Sequence, residues 1–325
     1  MQLDNVPGSV VIEERPLPLA HIKRRPADWR VSEQLDLVFT GVGEHAYFYV
    51  EKERLNTADV AAALAQACEV PGHFVGYAGL KDKHAVTRQW FSVPFAEDEW
   101  PLELAGARCL QVQRHSKKLR RGQHTLNRFE ICLSGLLNDN DPQLDRLGEV
   151  FPNYFGPQRT SSNNINQARQ WLAKGQWGSA RPDRPRQRTN GGRRGWHLSV
   201  LRSMLFNKVL EQRVRLHNYA QMIDGDVAQQ GLPTGPLWGR GRSASSGRAQ
   251  EIERCALADW ADTCEALEYT GLNQARRKLA ERPHEFVSEI SANGEMLLRF
   301  ALPPGVFATT LLANNLQFVD DSLHR

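Results

Sequence analysis

The feature that most constrains the fold of this chain is the return of strand-like sequence after a long helical middle. Patterns typical of strands occupy residues 29–39, 45–52, 75–77, 85–93, 108–114 and 126–133. After Pro142 helical patterns predominate, and strand patterns then reappear at 286–290 and 296–302. These last two flank Asn293-Gly294, a strong hairpin signal. A helical domain inserted into a sheet-rich domain explains this order better than two domains in series.

The remaining patterns predict an α+β fold. A helix is expected at 57–69, with Val60, Ala61 and Leu64 on its buried face. Later helices are predicted at 142–150, 163–172, 198–216, 249–260 and 272–281, with a short one from Phe307 and loops at 181–195 and 231–247. A chain of 325 residues is expected to form about two domains. A sheet accompanied by a few helices is an α+β layer arrangement.

Composition argues against several classes of protein. No run of about 18 apolar residues exists, so no membrane span is predicted. The N-terminus carries Asp4, Glu13 and Glu14 and lacks the apolar core of a secretory signal. The five cysteines have no C-x-x-C spacing and the ten histidines no ligand spacing, so neither disulfides nor a metal is indicated. We therefore expect a cytoplasmic protein without a metal site. It should be a monomer without an obligate protein partner, because no coiled coil or exposed apolar helix demands one.

Basic residues are concentrated in two acid-poor segments, although the net charge is only +4. The first, residues 114–128, contains six Lys and Arg residues, two histidines and no acid. The second, residues 181–202, contains seven arginines and only Asp183. Clusters of this density suggest a surface that binds a phosphate backbone. The alternative is a pair of solvated loops.

One carboxylate occupies a glycine-marked loop between two strand patterns. Asp82 lies between Lys81 and Lys83 within residues 76–90. Flanking cations favour the ionised form of a carboxylate and attract anions, and a loop held by strands presents its side chains rigidly. The segment is therefore either an ionised carboxylate facing a polyanion or a solvated turn whose charges keep it soluble.

Several strings match a single protein family. They are KRRPADW at 23–29, AGLKDKHAVT at 78–87, KLRRG at 118–122, NRF at 127–129, PNYFGPQR at 152–159, RSMLFN at 202–207 and FAT at 307–309. On these strings the chain resembles the TruD family of tRNA pseudouridine synthases along nearly its whole length. The G-x-K-D-K-x-A-V-T pattern within 79–87 is highly specific to that family, and the F-G-x-Q-R pattern supports it independently.

The resemblance implies a fold, an activity and a partner. A pseudouridine synthase catalytic domain, with a mainly antiparallel mixed sheet and flanking helices, would be formed by residues 1–153 and 284–325. A largely helical α/β insertion domain of the TRUD type would occupy residues 154–283. The implied activity is isomerisation of uridine to pseudouridine in tRNA, typically at position 13 in the D arm, with no cofactor.

The resemblance also implies roles for individual residues. Asp82 matches the single catalytic Asp, which acts at the ribose either as a nucleophile on C1′ or as a base at C2′, and Lys23 matches the lysine that pairs with it. Phe129 and Phe307 match pocket aromatics that receive a base taken out of its stack, although a core phenylalanine is the alternative at both positions. Asn127 could bond the uracil edge or support the Asp82 loop. The residues predicted to contact RNA are Lys81, Lys83, His84, Lys117, Lys118, Arg120, Arg121, Arg159, Arg193 and Arg194.

Two segments depart from the family pattern. Residues 160–164 replace a Phe-Gly step and a glycine-rich turn, which bears on how the insertion joins the catalytic domain. Residues 311–315 replace a segment with a salt-bridging Arg, which bears on the C-terminal contact. Neither departure touches Asp82.

Three other classes of function are alternatives. One is an interaction module with no RNA role, which no specific feature of the sequence supports. A non-catalytic RNA-binding protein would keep the basic segments and the aromatics without needing Asp82 and Lys23. An enzyme of phosphate chemistry would normally bring a G-x-x-x-x-G-K-[ST] loop or paired carboxylates for magnesium, and the sequence has neither.

Overall fold

The computed structural model of the protein describes residues 17–136, 141–175, 191–292 and 294–324. Its strands are β1 (Leu19–Ile22), β2 (Trp29–Gln34), β3 (His45–Glu53), β4 (Gly76–Tyr77), β5 (Val86–Pro94), β6 (Ala107–His115), β7 (Leu126–Leu133), β8 (Phe151–Pro152), β9 (Ala228–Gln229), β10 (Leu232–Leu237), β11 (Ala275–Lys278), β12 (Ala280–Glu281), β13 (His284–Ile290), β14 (Met296–Leu302) and β15 (Gln317–Asp320). Its α-helices are α1 (Thr57–Ala67), α2 (Pro142–Asp145), α3 (Pro157–Thr160), α4 (Ser162–Ala173), α5 (Gly191–Arg215), α6 (Gly247–Ala256), α7 (Ala261–Glu268) and α8 (Ala308–Asn315). No helix within these ranges is long and apolar enough to cross a bilayer.

One eight-stranded sheet joins the two ends of the chain. Its order is β13-β14-β7-β2-β5-β3-β6, with β4 beside β5. β2 and β5 are parallel, whereas the other neighbours are antiparallel. In the hairpin of β13 and β14, Ile290 lies opposite Met296, and Asn293 lies outside the described residues. The C-terminal strands therefore complete the sheet begun by β2 to β7, which confirms the predicted α+β class and a mainly antiparallel, mixed sheet.

The middle of the chain has its own helices, sheet and apolar core. Helices α3 to α7 and the small antiparallel sheet β11-β10-β9 lie within residues 154–283. Apolar residues of α4, α5 and α7, including Ile165, Leu201 and Leu267, form one buried cluster. Segment 160–164 contains the end of α3 and the start of α4. The Ser161 hydroxyl accepts a hydrogen bond from the Asn164 amide at 3.3 Å and so caps α4. Whether residues 154–283 form a separate domain stays a prediction.

Several predicted elements of the middle are wrong. Residues 272–281 form β11 and β12 instead of a helix, because they pair with β10 and β8. The expected loop at 231–247 contains β10, and the expected loop at 181–195 already enters α5 at Gly191. Only the first turn of 142–150 is α-helical, and α7 had no predicted counterpart. Pairing between distant segments decided the strands, and such pairing leaves no local pattern.

The register of the large sheet places two predicted site residues, Phe129 and Asn127, on one face together with Lys52 and Glu33. Lys52 lies opposite Thr87, Thr87 opposite Val31, and Val31 opposite Phe129. Two residues further along β2, Glu33 lies opposite Asn127. Because side chains alternate between faces along a strand, these residues share one face of the sheet.

That face is covered by helices from both ends of the chain. Val60 and Leu64 of α1 pack in a cluster with Phe48 of β3, and Leu311 of α8 packs in a cluster with Val31 of β2. The loop that carries Asp82 enters β5, which is the strand between β3 and β2.

Candidate functional site

The Asp82 loop presents a carboxylate that a substrate can reach. The Asp82 side chain is 42% exposed, and the next two residues, Lys83 and His84, are exposed as well. An exposed carboxylate can act as a base or a nucleophile only if its backbone is held in place.

Buried polar residues hold the backbone of this loop. The Thr57 hydroxyl, at the start of α1, accepts a hydrogen bond from the Lys81 amide at 2.9 Å and donates to Gln89 Oε1 at 2.8 Å. Gln89 in turn donates to the Gly79 carbonyl at 3.1 Å. Because Thr57 and Gln89 are both buried, these bonds are shielded from water and fix the loop on α1 and β5.

Lys52 is a further anchor, and it holds the backbone of Asp82 itself. Its Nζ is buried and donates to the carbonyls of Asp82 at 2.9 Å and Leu55 at 2.8 Å. Burial lowers the pKa of Lys52 to about 8, and the nearby negative charge of Asp82 opposes that shift. Lys52 therefore places a buried cation on the backbone of Asp82, close enough for the two charges to interact.

Lys81 lies in the interior instead of on the predicted RNA surface. Its ammonium is 2.7 Å from Glu33 Oε2, and the two side chains are 5% and 0% exposed. Glu33 also accepts a hydrogen bond from the Trp90 amide at 3.3 Å. A buried ion pair of this kind holds both partners, because freeing either charge would leave the other unpaired. The structure therefore assigns Lys81 to the support of the loop, which corrects its predicted contact with RNA.

Lys23 connects the N-terminal and C-terminal segments to Asp82. Its ammonium lies 3.8 Å from Asp82 Oδ2, 3.4 Å from Asp320 Oδ2 and 4.7 Å from the centre of the Trp29 ring. The side chain is only 6% exposed. Because β1 pairs in parallel with β15, Lys23 follows β1 at the point where Asp320 ends β15. The predicted pairing of Lys23 with Asp82 is present, and Asp320 is a second carboxylate on the same cation.

This geometry also bears on metal binding. Within the described residues, no group of three His, Cys, Asp or Glu side chains could hold a metal ion. The Lys23 ammonium occupies the position where a cation would contact both Asp82 and Asp320.

The predicted pocket residues lie at different depths. Phe129 is 9% exposed, stacks on Phe300 at 5.2 Å and meets the Trp29 ring edge-on at 6.4 Å. It is thus packed in the core, one ring away from Lys23. Asn127 Oδ1 is buried and has no hydrogen-bond partner among the described residues. Phe307 precedes α8, and its ring partner there is Phe155 at 6.4 Å.

Some basic residues of the first basic segment, residues 114–128, are paired with acids or buried, although the sequence suggests that all of them face solvent. Arg114 is paired with Asp98, and Arg128 with Glu285, so acids from distant parts of the chain neutralise both. His124 is buried, and desolvation lowers its pKa to about 4, aided by the charge of Lys81.

A smaller set of cations in that segment stays open to solvent. Lys117, Arg120 and Arg121 are exposed, and Arg121 lies over the Tyr77 ring at 5.1 Å. The Lys118 ammonium donates to the His73 carbonyl. The open cations are therefore Lys117, Arg120 and Arg121, with Lys118 at their edge.

The second basic segment is described only in part. Residues 181–188, with four of its arginines, lie outside the described residues. Arg193 is exposed in the first turn of α5, and Arg194 is half-buried and donates to the Thr270 carbonyl at 2.7 Å. Arg159 of α3 is half-buried against α5, where it donates to Ser199 Oγ at 3.0 Å.

Sequence reasoning missed the buried supports of the loop, although their spacing carries a signal. In β2 the inward positions are Trp29, Val31 and Glu33, so an acid follows two apolar residues on the buried face. In β3, Lys52 follows Phe48 and Val50 in the same way. A charged residue at an inward strand position requires a buried partner.

Known proteins resemble this chain in sequence and in fold. A family model described as tRNA pseudouridine synthase D (TruD) matches residues 13–180. A tRNA pseudouridine synthase D of Chromohalobacter salexigens is 35% identical, with 93% of this chain and 94% of that protein covered. One of Nitrosococcus oceani is 37% identical, with coverages of 91% and 90%. The crystal structure of a putative tRNA pseudouridine synthase D from Methanosarcina mazei has a TM-score of 0.67 and covers 95% of this chain and 96% of that one. At 17% identity, this last likeness concerns the fold.

Proposed function

Because the chain belongs to the TruD family of tRNA pseudouridine synthases, we propose that it converts uridine 13 of tRNA to pseudouridine, with Asp82 as its single catalytic carboxylate and no cofactor. The observation that carries this proposal is the contact between the exposed Asp82 carboxylate and the buried Lys23 ammonium at 3.8 Å. The ammonium and the held loop fix the position of the carboxylate that the reaction needs.

The reaction requires few chemical groups besides that carboxylate. The C1′–N1 bond of uridine breaks, the uracil turns, and a C1′–C5 bond forms; C5 loses a proton and N1 gains one. The reaction is an isomerisation, so no oxidant, reductant or co-substrate is required. Asp82 can serve it by attack on C1′ or by removal of a proton from C2′. In both routes the fixed loop supplies orientation, which is a large part of the barrier reduction available to an enzyme.

We assign supporting roles to the residues around Asp82. Lys52 and Lys81 hold the loop from the buried side, which supports a positioning role for both. Asn127 carries a buried acceptor oxygen without a protein partner among the described residues, which supports a contact with the uracil edge or with the loop. Phe129 and Phe307 are proposed as the aromatic walls of the pocket. The stacked rings beneath Phe129 favour a fixed wall.

We further propose a division of labour along the chain. Residues 1–153 and 284–325 would form the catalytic domain, and residues 154–283 an insertion that contacts tRNA through Arg159, Arg193 and Arg194. The eight strands of the large sheet come from the first group, which supports this division. We also propose a monomer that acts in the cytoplasm, an environment that suits its five free cysteines.

The activity is tested on an unmodified tRNA transcript that carries uridine at position 13. Purified protein is expected to form one pseudouridine, at position 13, at a rate that excess EDTA and removal of nucleotides leave unchanged. Chemical mapping of pseudouridine along the transcript is the measurement, and a transcript with cytidine at position 13 is the control. Pseudouridine at another position, with uridine 13 intact, would contradict the proposed site. A dependence on metal would contradict the cofactor-free mechanism.

The basic surface beside the loop gives a second prediction. Changing Lys117, Arg120 and Arg121 to Gln should weaken tRNA binding and reduce the slope of log Kd against log salt by about 2 to 3, because each phosphate contact contributes somewhat less than one unit. Adding Lys118→Gln should change the slope less, since that ammonium already bonds a carbonyl.

The matched controls for this surface are Arg114→Gln and Arg128→Gln, which remove the same charge from cations that acids already neutralise. Both should leave the salt slope near its wild-type value. An unchanged slope in the triple variant would remove these residues from the RNA surface.

A further inference from the structure

Two arginines lie on the ring of Phe155, just before α3. The Cζ atom of Arg277, in β11, is 4.1 Å from the ring centre, and that of Arg159, in α3, is 5.4 Å from it. The backbone that carries this ring is held in place, because the Asn207 side chain bonds both the amide and the carbonyl of Phe155 at 2.9 Å. Phe155 thus organises two cations that come from different parts of the chain.

Neither guanidinium is neutralised by an acid. Within the described ranges, no carboxylate oxygen lies within 4.0 Å of either one. Arg277 donates to the carbonyl of Asn153 at 3.3 Å and to its side-chain oxygen, and Arg159 donates to a serine hydroxyl. The Arg277 Nε is buried and has no hydrogen-bond partner in the described part of the chain. Both cations are therefore held by neutral groups alone.

The two charges also act on one another. Burial and, to a smaller extent, the charge of Arg159 lower the pKa of Arg277 to about 9, whereas Glu281 opposes the shift. Glu281 is itself paired with Lys278. Burial lowers the pKa of Arg159 as well. Two neighbouring, poorly solvated cations are costly unless an anion joins them.

The pair faces the segment that leads into α8. A Cβ atom on Gly305 would lie 3.5 Å from Arg277 Nη1, so this glycine lies at contact distance from the guanidinium. Phe307 packs against the same Phe155 ring at 6.4 Å. The ring centre of the exposed Trp196 lies 5.9 Å from the Arg159 Cζ. An exposed aromatic beside an unpaired guanidinium is a surface on which a nucleotide can stack.

We propose that Arg159 and Arg277, aligned on Phe155, bind one phosphodiester group of the tRNA backbone. Planar guanidinium groups match the oxygen pairs of a phosphate, and one monoanionic phosphodiester would offset the repulsion between the two cations. The choice of tRNA as ligand rests on the proposed function. The exposed Trp196 favours a phosphate that belongs to a nucleic acid over a free phosphate ion.

The test is the salt dependence of tRNA binding by the full-length protein. Arg277→Gln keeps a side-chain donor for Asn153 and removes the charge, and it should reduce the slope of log Kd against log salt by about one unit. Arg159→Gln, in the less buried partner, should do the same without disturbing Arg277, which keeps the test valid if Arg277→Gln fails to fold. The double variant should lose little beyond what either single variant loses, because both residues bind one phosphate and one phosphate contributes less than one unit. A further loss of about one unit in the double variant would show that the two residues bind separate phosphates.

The matched control is Arg276→Gln, at the neighbouring position of the same strand. Arg276 carries the same charge but is paired with Glu253 at 2.6 Å, so its removal should leave the salt slope unchanged. Equal slopes for wild type, Arg159→Gln and Arg277→Gln would overturn the proposal, as would an equal loss in Arg276→Gln.

An experiment with inorganic phosphate distinguishes the two possible ligands, a phosphodiester of tRNA and a free phosphate ion. If millimolar phosphate raises the Tm of the wild type but not of Arg159→Gln, while the tRNA slopes are all equal, the site binds free phosphate and the assignment to RNA is wrong. Turnover is not the readout of these experiments. A protein that shows the Arg277-dependent slope but forms no pseudouridine would contradict the proposed function and leave this site standing.

Discussion

Replacing Asp82 with asparagine is expected to lower the rate of pseudouridine formation by about 10³-fold or more, because an amide can neither attack C1′ nor accept a proton from C2′. The change is nearly isosteric, and the loop is anchored through other groups. Lys52 bonds the backbone carbonyl of Asp82, and Thr57 bonds the amide of Lys81, each at 2.9 Å. The loop should therefore keep its geometry. The measurement is single-turnover pseudouridine formation on an unmodified tRNA transcript.

Binding and a matched substitution separate chemistry from folding in this experiment. The Asp82→Asn variant should bind tRNA as well as the wild type or slightly better, since a negative charge that faces the RNA is removed. Asp36→Asn makes the same change at an exposed carboxylate that bonds the Gln34 side chain, and it should react at the wild-type rate. If Asp82→Asn retains wild-type turnover, Asp82 is not the catalytic carboxylate.

The large sheet is predictable from sequence because each strand carries its own signal. β7 and β14 have the bounds that their patterns predict, and the hairpin at 284–302 forms where Asn293-Gly294 indicates it. The small sheet is different. β11 is rich in Ala, Arg and Lys, which are good helix formers, and its partner β10 contains two prolines and a glycine. Neither has a local preference for a strand, so only their pairing with each other determines one.

The residues of the candidate site also fall into those that a local sequence pattern predicts and those whose contacts depend on distant parts of the chain. The sequence predicts Asp82 because its string is specific and its flanking lysines are adjacent in the chain. The sequence predicts an RNA contact for Lys81 because a loop lysine that faces solvent cannot be distinguished, by sequence, from one that faces a buried acid. In the fold, Lys81 contacts the buried Glu33, which lies 48 residues away in the chain. The sequence also cannot show which cations of the first basic segment are free and which are paired. Asp98 and Glu285 come close to Arg114 and Arg128 only in the folded protein.

Replacing Lys23 with methionine is expected to lower the rate by about 100-fold, because Asp82 and Asp320 would then face each other without the ammonium that lies between them. Loss of a buried partner leaves the remaining charges uncompensated, which is more harmful than loss of the whole group. The backbone at Lys23 has a φ of 56°, and both lysine and methionine are unbranched, so the substitution adds no new strain there. Single-turnover rates at saturating tRNA report the effect on chemistry.

A second substitution tests whether repulsion is the cause of that loss. Adding Asp320→Asn to Lys23→Met removes one of the two facing carboxylates and should restore about tenfold of the lost rate, although Asp320→Asn alone should slow the wild type. Asp321→Asn is the matched control, because this neighbouring carboxylate contacts His21 and Arg24 instead of Lys23. It should neither slow the wild type nor rescue Lys23→Met. Rates in which the Lys23 and Asp320 effects simply multiply would show that the two residues act independently, and Lys23 would then not be the bridge between Asp82 and the C-terminal strand.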